Sequence, residues 1–246
     1  MRIYRHLKTA CAAGAFLCLL SANGTAAVIV NGGFESGFSG WTRADQLGSD
    51  GTFALQTGTT SPVNVTTVPA PSGPTTAAMS DALGPGTHLL YQDFTIGAPV
   101  SAGTMLTFDL FIGNRAGTFF SPATLDFSTA ALNQQARVDI LLASADPFSV
   151  ASSAVLLNVF QTNPGDPPVS GYATHTADIT SVLNAHLGTS LRLRFAEADN
   201  VFSFQMGVDK VDIVTGTAST VPEPASWILG AGALTLLAAL RRRMPS

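Results

Sequence analysis

Cysteine is nearly absent from this chain. Its 246 residues contain two, Cys11 and Cys18, and both lie in the first twenty positions. A disulfide framework, a cysteine zinc site and a thiol nucleophile are therefore excluded from the rest. Basic residues are scarce as well, with twelve Lys and Arg against sixteen Asp and Glu, and half of the twelve sit at the two ends. Residues 28–214 carry six basic and fifteen acidic side chains, a net charge of −9. Nucleic-acid or anionic-lipid binding needs clustered Lys and Arg, so such a surface excludes both. Familiar catalytic signatures are missing too: there is no Gly-x-Ser-x-Gly, no His-Glu-x-x-His and no phosphate loop ending in Lys-Ser or Lys-Thr. His88, His175 and His186 are scattered and read as surface residues. No pair among the strand carboxylates Asp109, Asp139, Asp178 and Glu197 is marked out as an acid–base couple. The expectation is a non-catalytic domain, with a glycan-active hydrolase as the lesser alternative.

Long apolar runs occur only at the termini. Met1 to Lys8 carries Arg2, Arg5 and Lys8; Thr9 to Ala22 is apolar; Gly24-Thr25-Ala26-Ala27 is small. A basic head, an apolar middle and a small-residue exit make residues 1–27 a secretory signal peptide, cleaved after Ala26 or Ala27. This implies the Sec translocon and signal peptidase as partners. An uncleaved anchor is the alternative, but the run is short for a span. At the other end, Ala225 to Leu240 is sixteen residues without a charge, followed by Arg241, Arg242 and Arg243. As a helix it measures about 24 Å against a hydrocarbon core of about 30 Å. Trp227 suits one interface, and the arginines act as a stop-transfer signal that keeps the C-terminus in the cytoplasm. A buried core helix is the competing reading, and the terminal arginines argue against it.

Before that span stands Val221-Pro222-Glu223-Pro224. The order of Pro-Glu-Pro, short span and basic tail resembles the PEP-CTERM sorting signal of Gram-negative surface proteins. The resemblance covers residues 221–246 and implies a transient inner-membrane anchor, removed by an exosortase-type transpeptidase, on a protein destined for the cell surface or an exopolysaccharide matrix. The two prolines keep the motif extended ahead of the span. Residues 215–220, TGTAST, read as a flexible linker.

Residues 28–214 read as one all-β domain. "MLTFDLFI" alternates, with Leu106, Phe108, Leu110 and Ile112 on one face; "RVDIL" places Val138 and Ile140 inward; "SLRLRFAEA" places Leu191, Leu193 and Phe195 inward and Arg192 and Arg194 outward. Period-two alternation predicts antiparallel strands on a core. Further strands are expected near 52–56, 75–81, 89–96, 154–161, 172–179 and 202–214, separated by turn-rich segments. Only "ITSVLNAHLG" suggests a helix, with Thr180 capping its start and Gly188 its end. In the last strand Phe202, Phe204, Met206 and Val208 keep one parity and Val211 and Ile213 the other. A bulge is therefore needed between them.

"VNGGFESGFSGWT" at the start of the domain, "DITSVLNAHLGTSLRLRF" near its end and "GVDKVDIV" at its close together resemble the galactose-binding-like jelly roll of carbohydrate-binding modules. The resemblance implies an antiparallel jelly-roll β-sandwich. It also implies a structural calcium between the opening segment and the last strand, with Glu35 and Asp209 as ligands and Asn31 and backbone carbonyls assisting. The alternative is that Glu35 and Asp209 are solvated or cap loose backbone N–H groups. Sugar binding would need flat aromatic faces beside polar groups. Phe119, Phe120, Tyr91 and Tyr172 are the candidates, while Trp41 is expected in the core; Phe119 and Phe120 could instead plug one end of the sandwich. The expected function is polysaccharide binding at the surface or in the matrix. The alternative is a structural matrix protein that binds no sugar.

Overall fold

The computed structural model describes residues 28–215. The sorting motif, the apolar span, both terminal signals and most of the linker lie outside the described residues. No helix among the described residues is long and apolar enough to cross a membrane.

Ten strands and one short helix make up the domain: β1 Thr42–Asp45, β2 Thr52–Thr57, β3 Thr76–Asp81, β4 Gly86–Thr95, β5 Met105–Asn114, β6 Gln134–Leu142, β7 Val155–Gln161, β8 Ala173–Asp178, α1 Thr180–Ala185, β9 Ser190–Asp199 and β10 Phe204–Val214. They form two five-stranded sheets, ordered β1-β4-β9-β6-β7 and β2-β3-β10-β5-β8, and every pairing is antiparallel. Without β1 and β2, the orders β4-β9-β6-β7 and β3-β10-β5-β8 are those of an eight-stranded jelly roll. β1 and β2 extend one edge of each sheet.

The inward parities read from sequence meet in one core. Leu106, Phe108, Leu110 and Ile112 of β5 pack with Leu191, Leu193 and Phe195 of β9, Val138 and Ile140 of β6, and Met206 and Val208 of β10. Trp41 joins them, 6.0 Å from the Phe195 ring, and its indole N–H donates to the Asn31 carbonyl at 3.1 Å. The bulge in β10 lies between Asp209 and Asp212, where Lys210 adopts φ +48° and the register against β5 shifts. That extra residue returns Val211 and Ile213 to the core. The opening segment crosses β10 at the same point, and the Val211 amide donates to the Gly32 carbonyl at 3.0 Å. A Cβ at Gly32 would overlap the Val211 carbonyl, so only glycine permits the crossing.

The helix differs from the expectation in its start. Ile179 is the N-cap and makes no side-chain cap bond. Thr180 is the first helical residue, and its hydroxyl accepts the Thr104 amide at 3.0 Å instead. β1 was not expected at all: it is four residues long and mostly exposed, so it carries no apolar alternation to read. The expected start of β10 at Phe202 is also corrected. The strand begins at Phe204, because the Gln134 side-chain oxygen accepts the amides of Val201 and Phe202, both at 3.3 Å, and holds them out of the ladder.

Candidate functional site

Three strands run further than their apolar alternation. β4 begins at Gly86 rather than Leu89, β6 at Gln134 rather than Arg137, and β9 continues to Asp199. The added rows lie at one end of the β1-β4-β9-β6-β7 sheet and are polar. One row is Asp45–His88–Glu197–Ala136 and the row nearer the end is Gly86–Asp199–Gln134. On β9 the parity of Leu191, Leu193 and Phe195 continues through Glu197 and Asp199, which turns both carboxyl groups into the sandwich. Glu197 is 1% exposed, His88 0% and Asp199 2%. The expectation of a surface His88 is therefore corrected: its parity is that of the core residues Leu90 and Phe94, so it lies inside.

The geometry is that of a buried acid cluster. His88 Nδ1 lies 2.7 Å from Asp45 Oδ1. His88 Nε2 and Glu197 Oε1 have no hydrogen-bond partner, and they belong to residues directly opposite each other. Burial pushes the Glu197 carboxyl well above the usual carboxylate range, and the charges of Asp199 and Asp45 push it the same way. Burial raises Asp199 to about 7, against the pull of the Gly86 amide, which donates to Oδ1 at 2.8 Å, and of His88.

Asp199 also lines a pocket of about 250 Å³, with Leu83, Pro85, Val201, Phe202 and Ser203 around it. Phe202 is 60% exposed at its mouth. The loop that carries it is held firmly. Besides accepting two amides, the Gln134 side chain donates to the Phe202 carbonyl at 2.7 Å. Asn200 donates to the carbonyls of Phe127 and Ala131, both at 2.9 Å, and accepts the Asn133 amide at 2.8 Å. The result is an aromatic side chain on a fixed stretch of backbone beside a carboxyl group able to donate or accept a hydrogen bond near neutrality.

The four aromatic residues expected at a site are not brought together. Phe119 is buried against Phe204, with ring centroids 5.9 Å apart. Phe120 is half-buried, and its amide bridges to the Gln134 carbonyl at 3.1 Å. Tyr91 lies on the outer face of the β1-β4-β9-β6-β7 sheet with the Arg192 guanidinium 4.1 Å from its ring centre. Tyr172 lies on the other sheet, tilted against Phe111, and its hydroxyl donates to Gln56 Oε1 at 2.6 Å; burial pushes that hydroxyl's pKa upward.

Glu35, Asp209 and Asn31 do come together, around the opening segment. Glu35 accepts the amides of Thr75 and Thr76 at 3.0 and 3.1 Å and the Thr75 hydroxyl, which holds its carboxyl below the usual range. Asp209 accepts the Gly73 amide at 2.6 Å, the Ser72 hydroxyl at 3.2 Å and the Lys210 amide at 2.8 Å. The Asn31 side chain donates to the carbonyls of Gly37 and Ser39 and accepts the Ser36 amide. Calcium demands six to eight oxygens. Both carboxylates instead face the positive ends of N–H groups, and no cluster of three or more His, Cys, Asp or Glu suited to a metal forms among the described residues. In this arrangement the two carboxylates cap loose amides and fasten the opening segment.

No protein-family model and no curated protein matches the chain. Solved structures of similar course include the carbohydrate-binding module TmCBM61 in complex with beta-1,4-galactotriose, at 8% identity and TM-score 0.44, covering 78% of this chain and 100% of that one. They also include a Stig cyclase, Fisc, from Fischerella sp. TAU, at 19% identity and TM-score 0.45, covering 78% and 98%. A third is the enzymatically active domain of a bacteriophage CBA120 tailspike protein, at 10% identity and TM-score 0.42, covering 77% of this chain but only 21% of that one. The expectation that the domain is non-catalytic is corrected here: similar structures include cyclases and an enzymatically active domain. In this chain the buried acids are gathered by strand register, which no local motif records.

Proposed function

We propose that the protein is exported, held briefly in the inner membrane by its PEP-CTERM signal, and processed by an exosortase-type transpeptidase. The jelly roll then works at the cell surface or in the matrix by binding polysaccharide. Phe202 carries the binding reading: it is an aromatic side chain 60% exposed on a loop fixed by Gln134 and Asn200, directly beside Asp199. A pyranose presents an apolar C–H face and a rim of hydroxyls, which an aromatic platform with an adjacent carboxyl group suits. The rigid loop lowers the ordering entropy that binding would otherwise cost.

Retention of the full chain on immobilised polysaccharides tests this reading. Phe202→Ala is expected to weaken retention about tenfold or more, and Gln134→Ala to weaken it less while speeding amide exchange at residues 200–203. Retention on no polysaccharide would leave the purely structural role standing in its place. Equal retention of wild type and Phe202→Ala would move binding away from this pocket.

A further inference from the structure

The pocket has an unbalanced charge. Asp199 lines it, no basic side chain does, and Asp45 stands behind it in the adjacent row. Asp50, on the loop after β1, adds a further negative charge that raises Asp199, and its carboxylate accepts the Leu83 and Gly84 amides at the pocket wall. Most of the domain's cations are engaged elsewhere. Arg137 and Arg194 bond Asp139, Arg192 bonds Asp93, Lys210 lies 3.6 Å from Asp109, and Arg43 donates to the Phe53 carbonyl. Arg115 is exposed on a neighbouring segment, where its amide donates to the Ser203 carbonyl at 3.2 Å, and His88 lies within the cluster on the far side of Asp199.

Resting on the saccharide reading above, we propose that this pocket selects sugars bearing a free, protonated amino group, which pairs with the Asp199 carboxylate while the ring lies against Phe202. An ammonium group supplies the missing positive charge, and a hydrogen bond between charged partners is stronger than one between neutral groups. Phe202 adds a cation–π attraction. A uronate would set its carboxylate beside Asp199 and near Asp50 and be repelled. An N-acetylated or neutral sugar leaves Asp199 without a partner of opposite charge. Pairing also draws the proton from Asp199: with its carboxyl at about 7, about half a proton leaves on binding at neutral pH.

The test compares chitosan tetraose, its fully N-acetylated counterpart, cellotetraose and tetragalacturonate, titrated calorimetrically into the full chain at pH 7. The expected result is affinity for chitosan tetraose about ten- to hundredfold above the neutral sugars. Asp199→Asn, whose amide oxygen can still accept the Gly86 N–H, is expected to equalise amine-bearing and neutral ligands. Equal affinities in the wild type, or tight amine binding that survives Asp199→Asn unchanged, would overturn the amine preference and leave the saccharide reading intact. Binding of none of the four, together with retention on no polysaccharide, would overturn both.

Discussion

Asp199 and Asp139 lie on neighbouring strands of one sheet and are driven in opposite directions. Asp139 is buried, yet its carboxyl is held below the usual range, because Arg137 donates two bonds to it at 2.8 Å and Arg194 a third. Its contribution to stability is present above the unfolded value near 3.8 and is lost as pH falls through the folded value. Asp199 and Glu197 have no such arginine and behave in the reverse sense. Near pH 3 both the folded and unfolded states hold their protons. Between 3.8 and about 7 the unfolded chain has released the Asp199 proton and the folded one retains it, so stability falls as pH rises. The slope is about 1.4 kcal/mol per pH unit for that group and roughly 4 kcal/mol in all. The urea midpoint of the wild type is therefore expected to drop between pH 5 and 8, and Asp199→Asn to flatten that drop. A midpoint that climbs over this range would contradict the burial of the cluster.

At the scale of elements, alternation told which strands face the core but not where they stop. Period two is a signal carried by hydrophobicity, so polar rows at the end of a strand leave little to read. β4, β6 and β9 continue because their backbone ladders continue, and ladder bonds do not depend on which side chain is attached. The pocket is built beside those continued rows: His88 and Asp199 lie where apolar alternation gives no signal, and Phe202, which shares the parity of Phe204 and Met206, stands on the loop before β10. Extending the β9 parity by two and four residues past Phe195 reaches Glu197 and Asp199, and that was the one local clue. The bulge in β10, by contrast, was legible, because the apolar face changed sides within a single strand.

The clasp formed by Glu35 and Asp209 belongs to the same scale. Asp209→Ala would remove the part-buried hydrogen bonds to the Gly73 and Lys210 amides, at about 1 kcal/mol. The expected melting curves of wild type and variant differ by that amount equally with and without a calcium chelator. A loss of wild-type stability on chelation that Asp209→Ala abolishes would instead establish a calcium site there.

For the whole molecule, the sandwich and its terminal signals answer separate questions. Six basic against fifteen acidic residues in 28–214 favour solubility and cationic ligands over nucleic acid, wherever the domain resides. The sorting proposal is checked on the chain from native cells: mass spectrometry is expected to find an N-terminus at Ala27 or Val28 and a C-terminus near Val221 to Pro224. An intact chain recovered from the cytosol would end that proposal. Replacing Arg241 to Arg243 with neutral residues is expected to reduce inner-membrane retention of the precursor, because the stop-transfer charge is gone.

The sequence alone determined the class of fold and an expected destination, because core-facing alternation, a small-residue exit and an arginine stop are each local patterns along the chain. Only the tertiary structure decided which polar residues meet. Asp45, His88, Glu197 and Asp199 come from three strands separated by up to 154 positions, and their proximity is set by register between those strands. Nothing local to any of the four encodes that register, which follows from how the two apolar faces close on each other.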